Sequence, residues 1–305
     1  MKKEWSQNGR RFLTGGICAV MIVSSLTAVG AFSVTADDTY APAPLTKIKA
    51  DNKEDKKELY DILVEAAKKG KKEVAVTFEE PYKNEKSLVN LCSEISRQIR
   101  TTFPEYFLDN NISFYYYYNE KGGSEVIFEL SYVDITDQEK KAVLDKVDQL
   151  VKDAKKQSDD PVEMLKIFRQ EICSNTVYDY KAAKSDSDHY PKAYHAYGAL
   201  IDGKAVCQGY AYALKMLCDK AEIPCWVVTG EHGGPHAWNY VELNGKLYQI
   251  DLTMDNAEIS AEKSPWFLVG EKKAKDYRID RVGNPGELAE KSYFAKKVVH
   301  TKENK

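Results

Sequence analysis

The dipeptide Asn244-Gly245 restricts the fold of this chain more than any other short stretch. It separates two runs of strand-forming residues, HAWNYVEL (236–243) and LYQIDLT (247–253). Asn-Gly between two such runs is the strongest short-range signal for a two-residue hairpin turn. The turn sets the register of the whole hairpin, with Leu243 paired to Lys246.

This register places four side chains on one face of the hairpin. Trp238 lies opposite Asp251, and His236 lies opposite Thr253. His236 and Asp251 become diagonal neighbours, about 7–8 Å apart at the backbone and closer at their side chains. A carboxylate at that spacing holds an imidazole in one tautomer and orientation, so the pair is predicted to act as a general base and its orienting group.

A cysteine stands at the predicted start of a helix in GKAVCQGYAYALKMLC (203–218). After Cys207, apolar residues recur with the spacing of one helical face. A helix N-terminus carries partial positive charge and stabilises a thiolate. From its position alone, Cys207 is either such a nucleophile or a small buried hydrophobic residue.

Four other cysteines beyond residue 36 lie on apolar stripes or strands, which predicts core positions for Cys92, Cys173, Cys218 and Cys225. With Cys207 they make five, and an odd number leaves at least one thiol unpaired. The sequence leaves open a disulfide between two of the four.

The first 36 residues resemble an export signal. A basic start is followed by an uncharged run, 12–34, and a small-residue cleavage site, Val34-Thr35-Ala36. We expect a secreted or extracytoplasmic protein. The run is long enough to span a bilayer, so an uncleaved anchor is the alternative, and it would be the protein's link to a membrane.

The charge balance argues against a nucleic-acid partner. Removing residues 1–36 takes away four of the 44 Lys and Arg residues and one of the 47 Asp and Glu residues, leaving a formal charge of −6. No polybasic block is present beyond a mild lysine excess near the C-terminus.

The patterns after the signal predict a linker at 37–52 and a small α+β domain at 53–157, whose role the sequence does not indicate. A second α+β domain at 158–286 contains the cysteine helix and the hairpin. A polar, basic tail follows at 287–305. The tyrosine run 115–118 is interpreted as an ordinary strand, with no function assigned.

The blocks AYHAYGALIDGKAVCQGYAYALKMLCDKAEIPCWVVTG and HAWNYVELNGKLYQIDLT resemble the transglutaminase-like superfamily of papain-fold thiol enzymes. The resemblance covers roughly residues 160–270 and includes a G-x-x-V-C-x-G-Y-A block, then H-A-W-N, then D-x-T. It implies a helix bearing Cys207 packed on an antiparallel sheet, with Cys207 as nucleophile, His236 as general base and Asp251 as orienting group.

Supporting roles are expected for a few neighbours of the triad. The oxyanion of an acyl intermediate needs donors: the Cys207 backbone N–H, or a side chain of Gln208, Tyr197 or Trp238. Trp238 would also shield the His–Asp pair from water, or simply fill the core. The segment EHGGP (231–235) is predicted to be a flexible lip over the site.

Metal binding is the sharpest competing interpretation because His232 and His236 are four residues apart. The intervening Gly233, Gly234 and Pro235 prevent a helix, and the chain has no Cys-x-x-Cys pair. We therefore expect no metal and no other cofactor. His189 and His195 lie in a polar stretch and are predicted to be solvated loop residues.

The predicted function is an exported thiol enzyme that acts on amide bonds of a protein or peptide through an acyl-enzyme. Hydrolysis, as in a cysteine peptidase or amidase, is the expected outcome. The alternatives are a cross-linking acyltransferase that uses an amine in place of water, and a non-catalytic cell-surface interaction module.

Overall fold

The computed structural model describes residues 46–48, 54–78, 84–118, 123–185, 187–257, 265–270, 272, 274–282 and 299–300. Contacts divide the chain into two units, Met1–Ile99 with Asn110–Ser131, and Arg100–Asp109 with Tyr132–Lys305. The predicted signal peptide, Cys18 and most of the predicted linker and tail lie outside the described residues. Among the described helices, none combines the length and the apolar content that a bilayer crossing requires.

The first unit is built on a four-stranded sheet with the order β1-β2-β4-β3. Its elements are β1 (Thr46–Ile48), α1 (Glu54–Lys68), β2 (Glu73–Phe78), most of α2 (Glu85–Thr102), β3 (Ser113–Tyr117) and β4 (Ser124–Glu129). From α1 onward, the order of helices and strands is the predicted one. β1 was not predicted and falls in the expected linker, because a three-residue edge strand is too short to show periodicity.

The second unit packs helices on a sheet with the order β10-β7-β8-β9-β11. Its elements are α3 (Asp137–Gln157), α4 (Pro161–Asn175), β5 (Val177–Tyr178), α5 (Tyr180–Ala183), β6 (Lys204–Ala205), α6 (Cys207–Lys220), β7 (Cys225–Glu231), β8 (Pro235–Leu243), β9 (Lys246–Ile250), α7 (Leu252–Ala257), β10 (Arg278–Val282) and β11 (Val299–His300). The sheet is antiparallel except for β11, which pairs in parallel with β9. The predicted α+β class is confirmed, and β11 lies in the segment predicted to be a tail.

Helix α3 belongs by its contacts to the second unit, although it precedes the predicted domain boundary after residue 157. Its N-terminus has the predicted capping box, in which Thr136 and Glu139 each bond the other's backbone N–H. The buried stripe Val143, Val147 and Val151 lies in the same core as α4 and α6. Periodicity revealed that α3 has an apolar face, but it carried no information about the partner of that face.

The hairpin has the predicted register. Leu243 pairs with Lys246, and the pairing continues to Asn239 opposite Ile250. Asn244 and Gly245 both have left-handed backbone angles, with φ of 52° and 70°. That combination defines the turn favoured by Asn-Gly, because its twist matches that of the strands it joins.

The far end of the hairpin differs from the prediction. β9 ends at Ile250, and the chain enters α7 at Leu252. Thr253 is therefore a helical residue and does not face His236 across the sheet. Asp251 ends the strand and caps the helix that follows. Its backbone carbonyl accepts a hydrogen bond from the Asp255 N–H at 2.9 Å, and its carboxylate accepts one from the Met254 N–H at 3.1 Å.

Candidate active site

Cys207 is the first residue of α6, as predicted. The helix packs against β8, which directs its first turn toward the strand that carries His236. Gly209 lets the first turn of α6 lie close to the segment that precedes it, since a Cβ there would be 2.6 Å from the Ala193 carbonyl oxygen. The thiol therefore lies at the positive end of a helix, where backbone N–H groups stabilise a negative charge.

The other described cysteines are core residues, as predicted. Cys92, Cys173, Cys218 and Cys225 are all buried and reduced, whereas Cys207 is half-buried. Burial raises the pKa of the Cys173 thiol to about 12. Burial and a hydrogen bond to Cys225 raise the pKa of Cys218. A raised pKa keeps a thiol protonated and unreactive.

His236 and Asp251 are in direct contact. The imidazole Nε2 lies 2.7 Å from Asp251 Oδ2, so Nε2–H donates to the carboxylate. The Asp251 side chain is 1% exposed and that of His236 is 9% exposed. The imidazole of His236 also forms a hydrogen bond with the Cys207 side chain. The structure thus brings together all three predicted residues in the order thiol, imidazole, carboxylate.

The partners of His236 change its protonation. Burial alone lowers the pKa of an imidazole, but the hydrogen bonds to Asp251 and Cys207 and their negative charges outweigh it and raise the pKa of His236 to about 10. An imidazolium at neutral pH next to a thiol is the state that stabilises a thiolate. The arrangement is therefore chemically suited to nucleophilic attack followed by proton donation.

Asp251 has a further partner that the sequence did not reveal. The hydroxyl of Tyr277 donates to Asp251 Oδ2 at 2.8 Å, the same oxygen that accepts from His236. The helix that follows Asp251 is in turn tied down by a buried ion pair between Arg169 and Asp255. No periodicity marks the segment around Tyr277, so no local signal pointed to it.

Trp238 lies beside the pair rather than in it. Its ring stacks near His236 with centroids 5.8 Å apart and is 1% exposed. Its indole Nε1 is buried and, among the described residues, has no hydrogen-bond partner. Shielding of the His–Asp pair matches the position of the Trp238 ring, and its role as an oxyanion donor stays a prediction.

Two other predicted supporting residues are occupied elsewhere. The Tyr197 hydroxyl donates to Glu139 Oε1 at 3.1 Å, with Lys192 bound to the same oxygen at 2.7 Å. The hydroxyl proton of Tyr197 is therefore bound to a carboxylate in this structure, and its role as an oxyanion donor stays a prediction. Gln208 follows Cys207, and its Nε2 donates to the Tyr194 carbonyl at 2.9 Å. That bond ties the first turn of α6 to the preceding loop.

His195 is not the solvated residue that was predicted. It is 1% exposed and its Nε2 lies 2.8 Å from the Pro104 carbonyl oxygen. Burial lowers the pKa of His195 to about 4, so it is neutral at physiological pH. The polar residues around it in the sequence concealed this buried position. His189 is exposed, in agreement with the prediction.

The segment predicted as a lip is the short loop 232–234 between β7 and β8. Gly233 and Gly234 have φ of 70° and 149°, which residues with a side chain rarely adopt. His232 stacks flat on Tyr277, with centroids 3.9 Å apart, and its ring lies 6.1 Å from that of His236. Within the described part of the chain, no three His, Cys, Asp or Glu side chains are grouped to hold a metal ion.

Comparisons with known proteins give a family and two solved structures. The chain resembles a crystal structure of a TGase at 21% identity and TM-score 0.34, over 63% of this chain and 52% of that one. It resembles a proposed cysteine protease from Cytophaga hutchinsonii at 14% identity and TM-score 0.34, over 54% of this chain and 60% of that one. This chain thus spans little more than half the length of each of the two solved structures. Among curated proteins, none matches this chain.

The family comparison agrees with the resemblance seen in the sequence. Residues 148–252 match the model of the transglutaminase-like superfamily. The matched segment contains Cys207, His236 and Asp251 and ends before Tyr277. Residues 148–252 of this chain are therefore a domain of the transglutaminase-like superfamily.

Proposed function

We propose that Cys207, His236 and Asp251 are the catalytic triad of an exported thiol enzyme that cleaves amide bonds. One observation carries the proposal: the contacts run without a break from thiol to imidazole to carboxylate. A nucleophile, a base within hydrogen-bond reach and a group that orients the base form the general pattern of acyl-transfer enzymes. Membership of a superfamily of largely cysteine-dependent enzymes supports it.

The proposed reaction has two stages. The Cys207 thiolate attacks the carbonyl carbon, and the Cys207 backbone N–H at the helix start donates to the oxyanion. Imidazolium His236 gives its proton to the departing amine as the C–N bond breaks, which leaves a thioester. Neutral His236 then takes a proton from water, hydroxide attacks the thioester, and the acid and the thiol are released.

Water is the proposed acceptor of the acyl group. The rings of Trp238 and Tyr277 lie against the His236–Asp251 pair, whereas Cys207 is half-buried. A thioester on Cys207 is then open to water, and the proposed product is a free carboxylate. A protein or peptide is the proposed substrate class.

Reaction with iodoacetamide tests the nucleophile without knowledge of the substrate. We expect Cys207 to be carboxamidomethylated at pH 7 at least about tenfold faster than Cys92, because buried protonated thiols are inert. Peptide mass spectrometry measures the two rates in one sample. Equal rates would contradict the triad and support a non-catalytic module.

A peptide mixture with an excess of a fluorescent primary amine tests the reaction class. We expect new carboxyl ends in a casein digest, little amine incorporation, and loss of both in Cys207→Ala. Cys92→Ala is the matched control, because it removes a thiol outside the triad. Dominant amine incorporation would identify an acyltransferase and overturn the hydrolase proposal.

Export is proposed from residues 1–36. Cell fractionation and the mass of the mature N-terminus test it. A mature protein that starts near Asp37 outside the cytoplasm supports cleavage, and an intact N-terminus in the membrane fraction supports an anchor.

A further inference from the structure

We infer that Tyr277 is a positioning residue of this site, which holds Asp251 and limits the basicity of His236. The inference rests on the proposed triad. Its carrying observation is that Asp251 Oδ2 accepts two hydrogen bonds, from His236 Nε2 at 2.7 Å and from the Tyr277 hydroxyl at 2.8 Å. Tyr277 lies beyond residue 252, so it is outside the segment that matches the family model.

The surroundings of Tyr277 give its hydroxyl a fixed direction. Its ring is 8% exposed and stacks flat on His232, 3.9 Å away with an angle of 4° between the planes. Trp238 contacts it edge-on with ring centroids 5.0 Å apart, and Trp266 lies tilted against it with centroids 5.4 Å apart. A side chain held on several sides loses little further freedom when its hydroxyl binds, which is the condition for a precise positioning contact.

The hydrogen bond from Tyr277 weakens the effect of the Asp251 carboxylate on the pKa of His236. A carboxylate oxygen that already accepts from a neutral hydroxyl carries less negative charge toward the imidazolium. Tyr277 therefore lowers the pKa of His236 relative to a site that lacks the hydroxyl. This favours catalysis, because a proton donor with a pKa far above the working pH releases its proton too slowly.

Several groups besides Tyr277 act on the His–Asp pair. Cys207 faces His236 from α6, His232 faces it from the β7–β8 loop, and Asp255 with Arg169 lies behind Asp251. Tyr178 and Cys173 are within electrostatic range of Asp251. A Tyr277→Phe change leaves all of them in place, because it removes one oxygen atom and keeps the ring.

The test is an NMR titration of the imidazole C–H signals between pH 7 and pH 11. The chain contains five histidines, which makes assignment tractable. We expect the pKa of His236 to rise by about 0.5–1 unit in Tyr277→Phe. The rate of Cys207 alkylation by iodoacetamide should change where His236 loses its proton, and the pH of that change should rise by the same amount. An unchanged or lowered His236 pKa would overturn the inference.

Tyr116→Phe is the matched control. Tyr116 is buried in the first unit, and its hydroxyl donates to the Glu85 carboxylate at 2.9 Å, so the same atom and the same kind of bond are removed. A purely structural role of Tyr277 predicts that both variants lose stability and that neither changes the pKa of His236.

If Tyr277→Phe does not fold, exchange of the Tyr277 hydroxyl proton in the wild-type protein tests the inference. A slowly exchanging Tyr277 hydroxyl proton close to the His236 ring supports the inference, and rapid exchange with solvent overturns it.

Failure of this inference and failure of the proposed function give different results. An inert Cys207 thiol or an inactive protein refutes the function, whatever the position of the His236 titration. A reactive Cys207 with an unmoved His236 titration refutes only the role of Tyr277.

Discussion

His195 and His236 lie in the same unit with nearly buried rings, yet their ionisation is opposite. Burial lowers the pKa of His195 to about 4, and the hydrogen bonds from His236 to Asp251 and Cys207 overcome burial and raise its pKa to about 10. Burial disfavours the charged form at both positions. The difference lies in what each ring nitrogen contacts.

The ring of His195 has a neutral partner on one side. Nε2 donates to the Pro104 carbonyl, and among the described residues Nδ1 has no hydrogen-bond partner. A proton on Nδ1 would create a charge without a counter-charge, at a cost of several kcal/mol. His236 instead lies between a thiol and a carboxylate. The comparison teaches that a histidine becomes an acid–base group through charged neighbours rather than through its place in the sequence.

The largest expected effect comes from removing the charge beside His236. Asp251→Asn should lower the pKa of His236 toward that of His195 and reduce peptide cleavage by about 10²–10⁴-fold, since the imidazole loses its orientation and its counter-charge. Initial rates on the casein digest measure the loss. Asp145→Asn, which removes a carboxylate from an exposed ion pair with Lys141, is the control. Comparable rates for the two variants would contradict the role of Asp251.

The second expected effect concerns stability at acid pH. The pKa of His195 is lower in the folded protein than its ordinary value of 6.5, so the unfolded chain binds its proton first as the pH falls. Stability is therefore present above about pH 6.5 and is lost as the pH falls toward 4. Between pH 7.5 and 5 the loss from this residue is about 2 kcal/mol.

His195→Gln should abolish that part of the pH dependence while keeping a donor to Pro104. Urea unfolding of both proteins at pH 7.5 and pH 5 measures it. The difference between wild type and variant isolates His195 from the carboxylates that titrate in the same range. An equal loss of stability in both proteins would contradict the low pKa of His195.

A smaller effect is expected from the aromatic cover of His236. Trp238→Phe keeps a ring beside the imidazole but reduces its contact area, so cleavage should fall by about two- to tenfold. Steady-state kinetics should show the change in kcat rather than in KM, because the Trp238 ring lies beside the imidazole of His236. A loss as large as that of Asp251→Asn would mean that Trp238 takes part in the reaction.

The smallest effect is expected two residues from Asp251. The Thr253 hydroxyl is buried and, among the described residues, has no hydrogen-bond partner. Thr253→Val replaces it with a methyl group of similar size, so the free energy of unfolding should change by less than about 1 kcal/mol, with cleavage unchanged. Thermal unfolding and the casein assay measure both. A large loss of activity would indicate that Thr253 lies on the face of the hairpin that carries His236.

Local patterns were sufficient to predict much of the second unit. Asn244-Gly245 determined the register of β8 and β9, because turn geometry depends on a few adjacent residues. The capping box at Thr136 and the start of α6 at Cys207 were equally local. The apolar stripes placed Cys92 and Cys218 in the core. The residues of the proposed triad were found from these elements together with the family resemblance.

The sequence by itself therefore determined the hairpin register, the helix that begins at Cys207 and the order of elements from α1 through α3. The tertiary structure alone decided that Thr253 is helical, that α3 packs in the second unit, that His195 is buried and that the Tyr197 hydroxyl binds Glu139. It also brought Tyr277 to Asp251 across 26 residues. The physical reason is that turns, caps and periodicity depend on neighbours along the chain, whereas burial and hydrogen-bond partners depend on segments that meet only when the chain has packed.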